Sequence, residues 1–500
     1  MKYTSTRDKC VNVSAAKAIT TGISPEGGLF VPQSLPKLNM EEISSFSGMT
    51  YVERAEKILS LFLTDFSQDE IAHCARSAYG SGNFSDEKTA PLVGLEEGLH
   101  ILELWKGPTA AFKDMALQIL PHLLKISSQK TAEGMEIVIL VATSGDTGKA
   151  ALEGFKDVEG TKIVVFYPDQ GVSPMQKLQM ATQEGGNVEV CAIEGNFDDA
   201  QSGVKRIFTD SSIKESLRRQ GMMFSSANSI NWGRLLPQIV YYFSAYADLL
   251  ETAAIKTGQK VNFVVPTGNF GNILAAYYAM QMGLPVNRLV CASNANNVLT
   301  DFINTGVYDR RREFYATSSP SMDILISSNL ERLLYDLSGC DDQTVKALMN
   351  KLAQDGIYEV EAELLTRLQA DFSAGFCDDE KTKKTIAKTF KKYGYLSDTH
   401  TAVGLAVYED YKARTGDDTV TVIASTASPF KFGASVLEAL QPGERGEGDE
   451  FARLESLQAL TGQICPPPLM QIKGKPIRFE GVCPAHQMSQ RLLDLLGVND

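Results

Sequence analysis

Apolar and polar positions along the chain alternate between two patterns. Largely apolar runs rich in β-branched residues occupy 137–142, 162–166, 188–193, 261–265 and 419–424. Between them, 147–156, 198–208, 235–250 and 272–282 carry apolar residues at helical spacing. A strand that is apolar at every position is covered on both faces. Alternation of such strands with helices is the signature of a parallel sheet wrapped by helices. The pattern therefore predicts an α/β protein with more than one parallel-sheet unit. Residues 330–395 read as helical and charged, and residues 1–95 as mixed, with a turn at Ser24-Pro25-Glu26-Gly27-Gly28. The Pro/Gly-rich acidic stretch from Gln441 to Glu450 reads as a surface linker, leaving a tail with Pro466-Pro467-Pro468.

Composition narrows this picture. A chain of 500 residues predicts two or three domains. The net charge of −13 argues against nucleic acid or an anionic membrane as partner, although local cations could still take an anionic substrate. No apolar run reaches the roughly 20 residues that span a bilayer, and the first ten residues lack the apolar core of a signal sequence. Eight scattered cysteines without a Cys-x-x-Cys pair speak against zinc and disulfide frameworks. The five histidines, His73, His100, His122, His400 and His486, show no metal spacing. No Gly-x-Ser-x-Gly elbow suggests a hydrolase. A cytoplasmic enzyme without a metal is expected.

Five segments could carry chemistry. Gly268-Asn269-Phe270-Gly271-Asn272 follows an apolar strand and opens a helix. Such a turn presents N–H groups and a helix dipole to an anion, and its composition favours a phosphate cup over an empty tight turn. Thr143-Ser144-Gly145-Asp146-Thr147-Gly148 also follows a strand and suits a carboxylate or phosphate. It reads equally as an ordinary helix start capped by Asp146 or Thr147. Lys113 stands between Phe112 and an apolar helical run. A buried lysine there would be a Schiff-base nucleophile, yet taken alone it reads as a solvated surface charge. The segment 228–234 gathers Asn228, Ser229 and Arg234 before a helix, where arginine could grip phosphate or simply face water. Thr426 sits just past the 419–424 strand, where its hydroxyl could bond a ring nitrogen or cap a turn.

These segments occur in one chain and in this order, together with Ser24–Pro32, Ser319-Pro320-Ser321-Met322-Asp323 and His400-Thr401-Ala402-Val403-Gly404. In this the chain resembles threonine synthases of the bacterial and fungal long-chain type. The resemblance implies a fold type II pyridoxal-phosphate (PLP) enzyme with two parallel-sheet α/β domains and an additional N-terminal domain. The N-terminal domain would be 1–95, the large domain 96–130 and 231–440, the inserted domain 131–230, and 441–500 a linker and tail. It further implies that Lys113 holds PLP, that Gly268, Asn269, Phe270, Gly271 and Asn272 hold its phosphate, and that Thr426 faces the ring nitrogen, with Asp146 near the ring. Thr143, Ser144 and Thr147 would take the substrate carboxylate, and Asn228, Ser229 and Arg234 the substrate phosphate. The implied reaction turns O-phospho-L-homoserine and water into L-threonine and phosphate, in a monomer or homodimer. Two departures stand out. The family commonly reads His-Pro-Ala-Lys-Phe where this chain has Ser428-Pro429-Phe430-Lys431-Phe432, and it has a proline at the position of Thr399. These leave open a phospho-lyase or a serine/threonine dehydratase on the same scaffold and, more remotely, a non-catalytic phosphate- or nucleotide-binding protein.

Overall fold

The computed structural model describes residues 1–498 apart from 81, 133, 144, 170, 171, 173 and 444–447. Two parallel sheets organise it. The larger has six strands in the order Phe372–Phe376, Val286–Ser293, Val261–Pro266, Thr421–Ser425, Leu99–Glu103 and Leu92–Glu96. All neighbours run parallel except the last pair. Val264 lies level with Val290 on one side and Ile423 on the other, so the apolar runs meet in register at the sheet centre. The second sheet has five parallel strands in the order Val482–Pro484, Val188–Glu194, Thr161–Pro168, Glu136–Ala142 and Met222–Ser225.

Both faces of the second sheet are covered, as continuous apolar strands require. Val138, Leu140, Val164 and Phe166 pack on one side with Ala200, Ile207 and Leu217. Ile137, Ile139, Val141, Ile163 and Val165 join the main core with Ala150, Leu152 and Phe155 on the other. The N-terminal region forms a three-stranded antiparallel sheet of Asp8–Val13, Tyr3–Ser5 and Phe30–Pro32, followed by helices Tyr51–Phe62 and Gln68–Tyr79. Its buried residues share the core of the large domain, and buried Arg54 joins it to Asp248 at 2.8 Å.

Leu92–Glu96 forms the antiparallel edge of the large sheet across the short turn Glu97-Gly98, with Gly98 at φ 77°. Residues 448–498 are not a loose tail. Helix Glu450–Thr461 buries Leu454 and Leu457 with Val436 and Leu437 of the large domain. Strand Val482–Pro484 extends the inserted sheet, and helix Met488–Leu496 buries Met488, Leu492 and Leu496 against its outer face. The five-stranded sheet thus takes its edge strand from the far end of the chain. Among the described residues no helix is long and apolar enough to cross a membrane.

Candidate active site

The lysine loop is shaped by its own buried aspartate. Asp114 accepts hydrogen bonds from the Thr109 N–H at 2.8 Å and the Thr109 hydroxyl at 2.7 Å. Gly107 is required beside it, since a Cβ there would lie 2.6 Å from the Asp114 carboxylate. The loop is stitched to the end of the central strand Thr421–Ser425: Phe112 N–H donates to Thr426 O at 2.8 Å, and Ser428 N–H to Ala110 O at 3.0 Å. Lys113 then enters the junction between the two sheets, its side chain only 12% exposed. Its amine donates to Ser321 Oγ at 3.1 Å and lies 3.9 Å from Asp146 Oδ2. Burial pulls the amine down to about 8. Asp146 and Asp114 oppose that shift, while the cations Arg234 and Lys431 reinforce it.

The turn 268–272 leaves the central strand Val261–Pro266 and enters helix Gly271–Gln281. A Cβ at Gly268 would sit 2.5 Å from the Ser321 carbonyl oxygen, so the same Ser319–Asp323 segment touches both Lys113 and this turn. Phe270 holds the turn with φ 64°, a left-handed conformation that costs a non-glycine residue roughly 1–2 kcal/mol. Its buried ring packs 5.9 Å from that of Phe372. Ser327 Oγ and the Asn329 side chain brace the turn from outside through Gly268 O and Asn269 O. Asn272 Oδ1 accepts from Tyr241 and Tyr242 at 2.5 and 2.6 Å, whereas its buried Nδ2 has no partner among the described residues.

The turn at 143–148 is built differently. Thr143 Oγ1 accepts from the Gly145 and Gly148 N–H groups at 3.0 and 3.1 Å, so this hydroxyl closes its own turn. The expectation of a cap by Asp146 or Thr147 fails. Gly145, which has no side chain to donate or accept, is the cap of helix Asp146–Phe155, and the Asp146 carboxylate points elsewhere. Its Oδ1 takes Lys431 Nζ at 2.7 Å and Gln176 Nε2 at 3.0 Å. Burial alone would raise this carboxyl, but the ammonium groups of Lys431 and Lys113 outweigh it and hold Asp146 ionised far below the usual carboxylate range. Ser144 lies outside the described residues. Thr147 is half-buried in the first turn of the helix.

Arg234 sits in the short helix Trp232–Leu235, 5% exposed. It donates to Ala227 O at 2.8 Å, and among the described residues no carboxylate lies within ion-pair distance. Burial lowers its pKa to about 10. Asn228 and Ser229 are half-buried just before it, and Ser229 Oγ lies 3.4 Å from Ser328 Oγ, which in turn reaches Asn269 Oδ1 at 3.5 Å. Thr426 is buried beside the lysine loop. The expected residues thus gather around one junction, apart from Ser144. Lys431, Ser321, Gln176 and His400 were given no role by sequence reasoning. His400 Nε2 accepts from the Ser321 N–H at 3.2 Å, which leaves Nδ1 to donate to Asp398 Oδ1 at 3.0 Å. Lys431, Ser321 and His400 lie within recognised segments but have partners distant in sequence, and Gln176 lies in none of those segments. Of the departing residues, Ser428 caps the turn Pro429–Phe432, and Phe430 packs with Ala110 and Met175.

Comparison with known proteins accounts for this arrangement. A family described as "Threonine synthase N terminus" matches residues 2–79, "Pyridoxal-phosphate dependent enzyme" matches 88–426, and "Threonine synthase, C-terminal" matches 401–481. Human "Threonine synthase-like 1" is 42% identical over 86% of the chain, and the chain spans only 58% of that relative's length. The threonine synthase of Pseudomonas aeruginosa is 39% identical, covering 88% of the chain and 90% of the relative. A crystal structure of PLP-bound threonine synthase from Brucella melitensis superposes with a TM-score of 0.87 at 35% identity, covering 98% of both chains. The chain belongs to the threonine synthase family of pyridoxal-phosphate-dependent enzymes, with the fold type II architecture.

Proposed function

We propose that this protein is a threonine synthase, forming L-threonine and phosphate from O-phospho-L-homoserine and water. The observation that carries the reading is a buried lysine with a lowered pKa in the field of a buried arginine that has no carboxylate partner among the described residues. An amine near neutrality can join a carbonyl, and an uncompensated buried guanidinium calls for an anion such as a phosphate ester.

The residues present fit PLP. Asn272 Nδ2 is an unpaired buried donor in the first turn of a helix, behind a turn whose Gly268 is pressed against Ser321. A phosphate group would supply the missing acceptor and meet the positive end of the helix. Gly268, Asn269, Phe270, Gly271 and Asn272 would hold that phosphate, Lys113 the carbonyl end, and Thr426 the ring nitrogen, with Asp146 beside the ring. When bound, PLP supplies an electron sink for negative charge at the substrate's α-carbon.

The chain's own residues do the rest. With its amine free, Lys113 would take the proton from Cα, serve proton transfer at the later carbons and finally return a proton to Cα. An amine pKa near 8 leaves enough of the neutral form for this task at neutral pH. Arg234, Asn228 and Ser229 hold the phosphate that leaves Cγ. Thr147 takes the substrate carboxylate at the start of helix Asp146–Phe155, and Thr143 keeps that turn closed; Ser144, given the same role from sequence, lies outside the described residues. Thr426, a neutral hydroxyl, lacks the charge needed to keep the ring nitrogen protonated. The reading places the enzyme in the cytoplasm as a monomer or homodimer, in line with eight free thiols.

The test is to supply O-phosphohomoserine and follow phosphate, threonine and 2-oxobutyrate together. Threonine in step with phosphate supports the proposal. Phosphate with 2-oxobutyrate and no threonine would assign a phospho-lyase, and equal turnover of unphosphorylated serine or threonine a dehydratase.

A further inference from the structure

We propose that Lys431 is a positioning residue for Lys113: by engaging Asp146 across the domain boundary it occupies that carboxylate and leaves the Lys113 amine free to be neutral. The inference rests on Lys113 being the cofactor lysine. Its ground is a three-body geometry. One carboxylate, Asp146, faces two buried ammonium groups and does not share itself equally. Lys431 Nζ lies 2.7 Å from Oδ1, while Lys113 Nζ lies 3.9 Å from Oδ2, beyond hydrogen-bond length. The Lys431 side chain is 1% exposed, so water cannot take over the role of its partner. Its ammonium also donates to Thr109 O at 2.9 Å in the loop that carries Lys113. One side chain therefore ties the turn Pro429–Phe432 and the lysine loop, both in the large domain, to the first turn of a helix in the inserted domain.

The groups facing Lys113 are few. Asp146 comes from helix Asp146–Phe155, Arg234 from Trp232–Leu235, Lys431 from Pro429–Phe432, and Asp114 from the lysine loop itself. One turn further along the same helix, the Lys149–Glu153 pair at 2.8 Å is shared with the Gln183 amide and faces Asp114 and Lys431. Removing the charge of Lys431 deletes one cation that repels a charged Lys113. It also frees one carboxylate that attracts it. Both changes favour the ammonium form of Lys113, so its pKa rises and the neutral amine appears only at higher pH.

The experiment measures the pH midpoint for acetylation of Lys113 by acetic anhydride, read by peptide mass spectrometry on the full chain after removal of PLP. The kcat–pH profile of the holoenzyme is recorded alongside. Lys431→Met is expected to raise the labelling midpoint by about one pH unit or more and to move the acid limb of kcat the same way. Lys431→Arg, which keeps the charge, is expected to stay near the parent protein. A structural role alone would lower yield or melting temperature without moving the midpoint. Should Lys431→Met not fold, Asp146→Asn is compared with Asp146→Asn/Lys431→Met, where loss of the second charge is expected to raise the midpoint again. An unmoved midpoint in the folded single variant, or in the double variant against Asp146→Asn, overturns the inference. A Lys113→Ala protein that keeps the cofactor's visible band would instead overturn the underlying reading, so the two failures are distinguishable.

Discussion

The two strand-to-helix turns of this molecule look alike in sequence and are finished in opposite ways. Both leave the C-terminal end of a parallel strand and carry two glycines. At 268–272 the turn is braced from outside by Ser327 and Asn329, and Asn272 keeps a buried donor unpaired. At 143–148 Thr143 spends its hydroxyl on the N–H groups of Gly145 and Gly148, and the first helical residue is a carboxylate held by Lys431 and Gln176. A turn that leaves a buried donor open offers it to an anion. A turn that has already placed an anion at its helix start serves the charge balance of its neighbours instead. The glycine pattern alone does not distinguish the two, because the difference lies in partners far away in sequence.

The comparison can be broken most severely at Gly268. In Gly268→Val the side chain would enter a space whose Cβ position already lies 2.5 Å from the Ser321 carbonyl. We expect loss of PLP binding with the fold retained, read from the visible spectrum and circular dichroism. A variant that binds PLP normally would separate this turn from the cofactor. Arg234→Met should come next, lowering kcat/KM for O-phosphohomoserine by about 10²–10³-fold, the scale of losing a charge-assisted contact in a buried site. Its visible band should persist, because Arg234 is assigned to the substrate and not to the cofactor. Unchanged kcat/KM would remove Arg234 from the substrate site. Thr143→Val is the mildest. It leaves the Gly145 N–H without its acceptor and the Gly148 N–H with only Gly145 O, and should cost about 1–3 kcal/mol in denaturant unfolding while leaving PLP bound.

Much of the fold was legible because apolar runs and strands coincide. The run at 261–265 became Val261–Pro266, and that at 188–193 became Val188–Glu194. What was not legible depended on partners distant in the chain. Val482–Pro484 is three residues long and becomes a strand only because it pairs with Val188–Glu194, nearly 300 positions earlier. Lys113 reads alone as a solvated charge. Ser321 and Asp146, which surround it, lie in other segments. The same holds for Lys431, whose significance appears only once Asp146 has turned away from capping its own helix. Resemblance brought the distant segments together where local pattern could not, and it did so without assigning a role to Lys431.

The central claim, that Lys113 carries the cofactor, is tested most directly by the visible absorption spectrum of purified Lys113→Ala beside the parent protein. The account predicts a yellow parent whose band disappears in the variant, together with threonine formation. A variant that keeps the parent's band would contradict it.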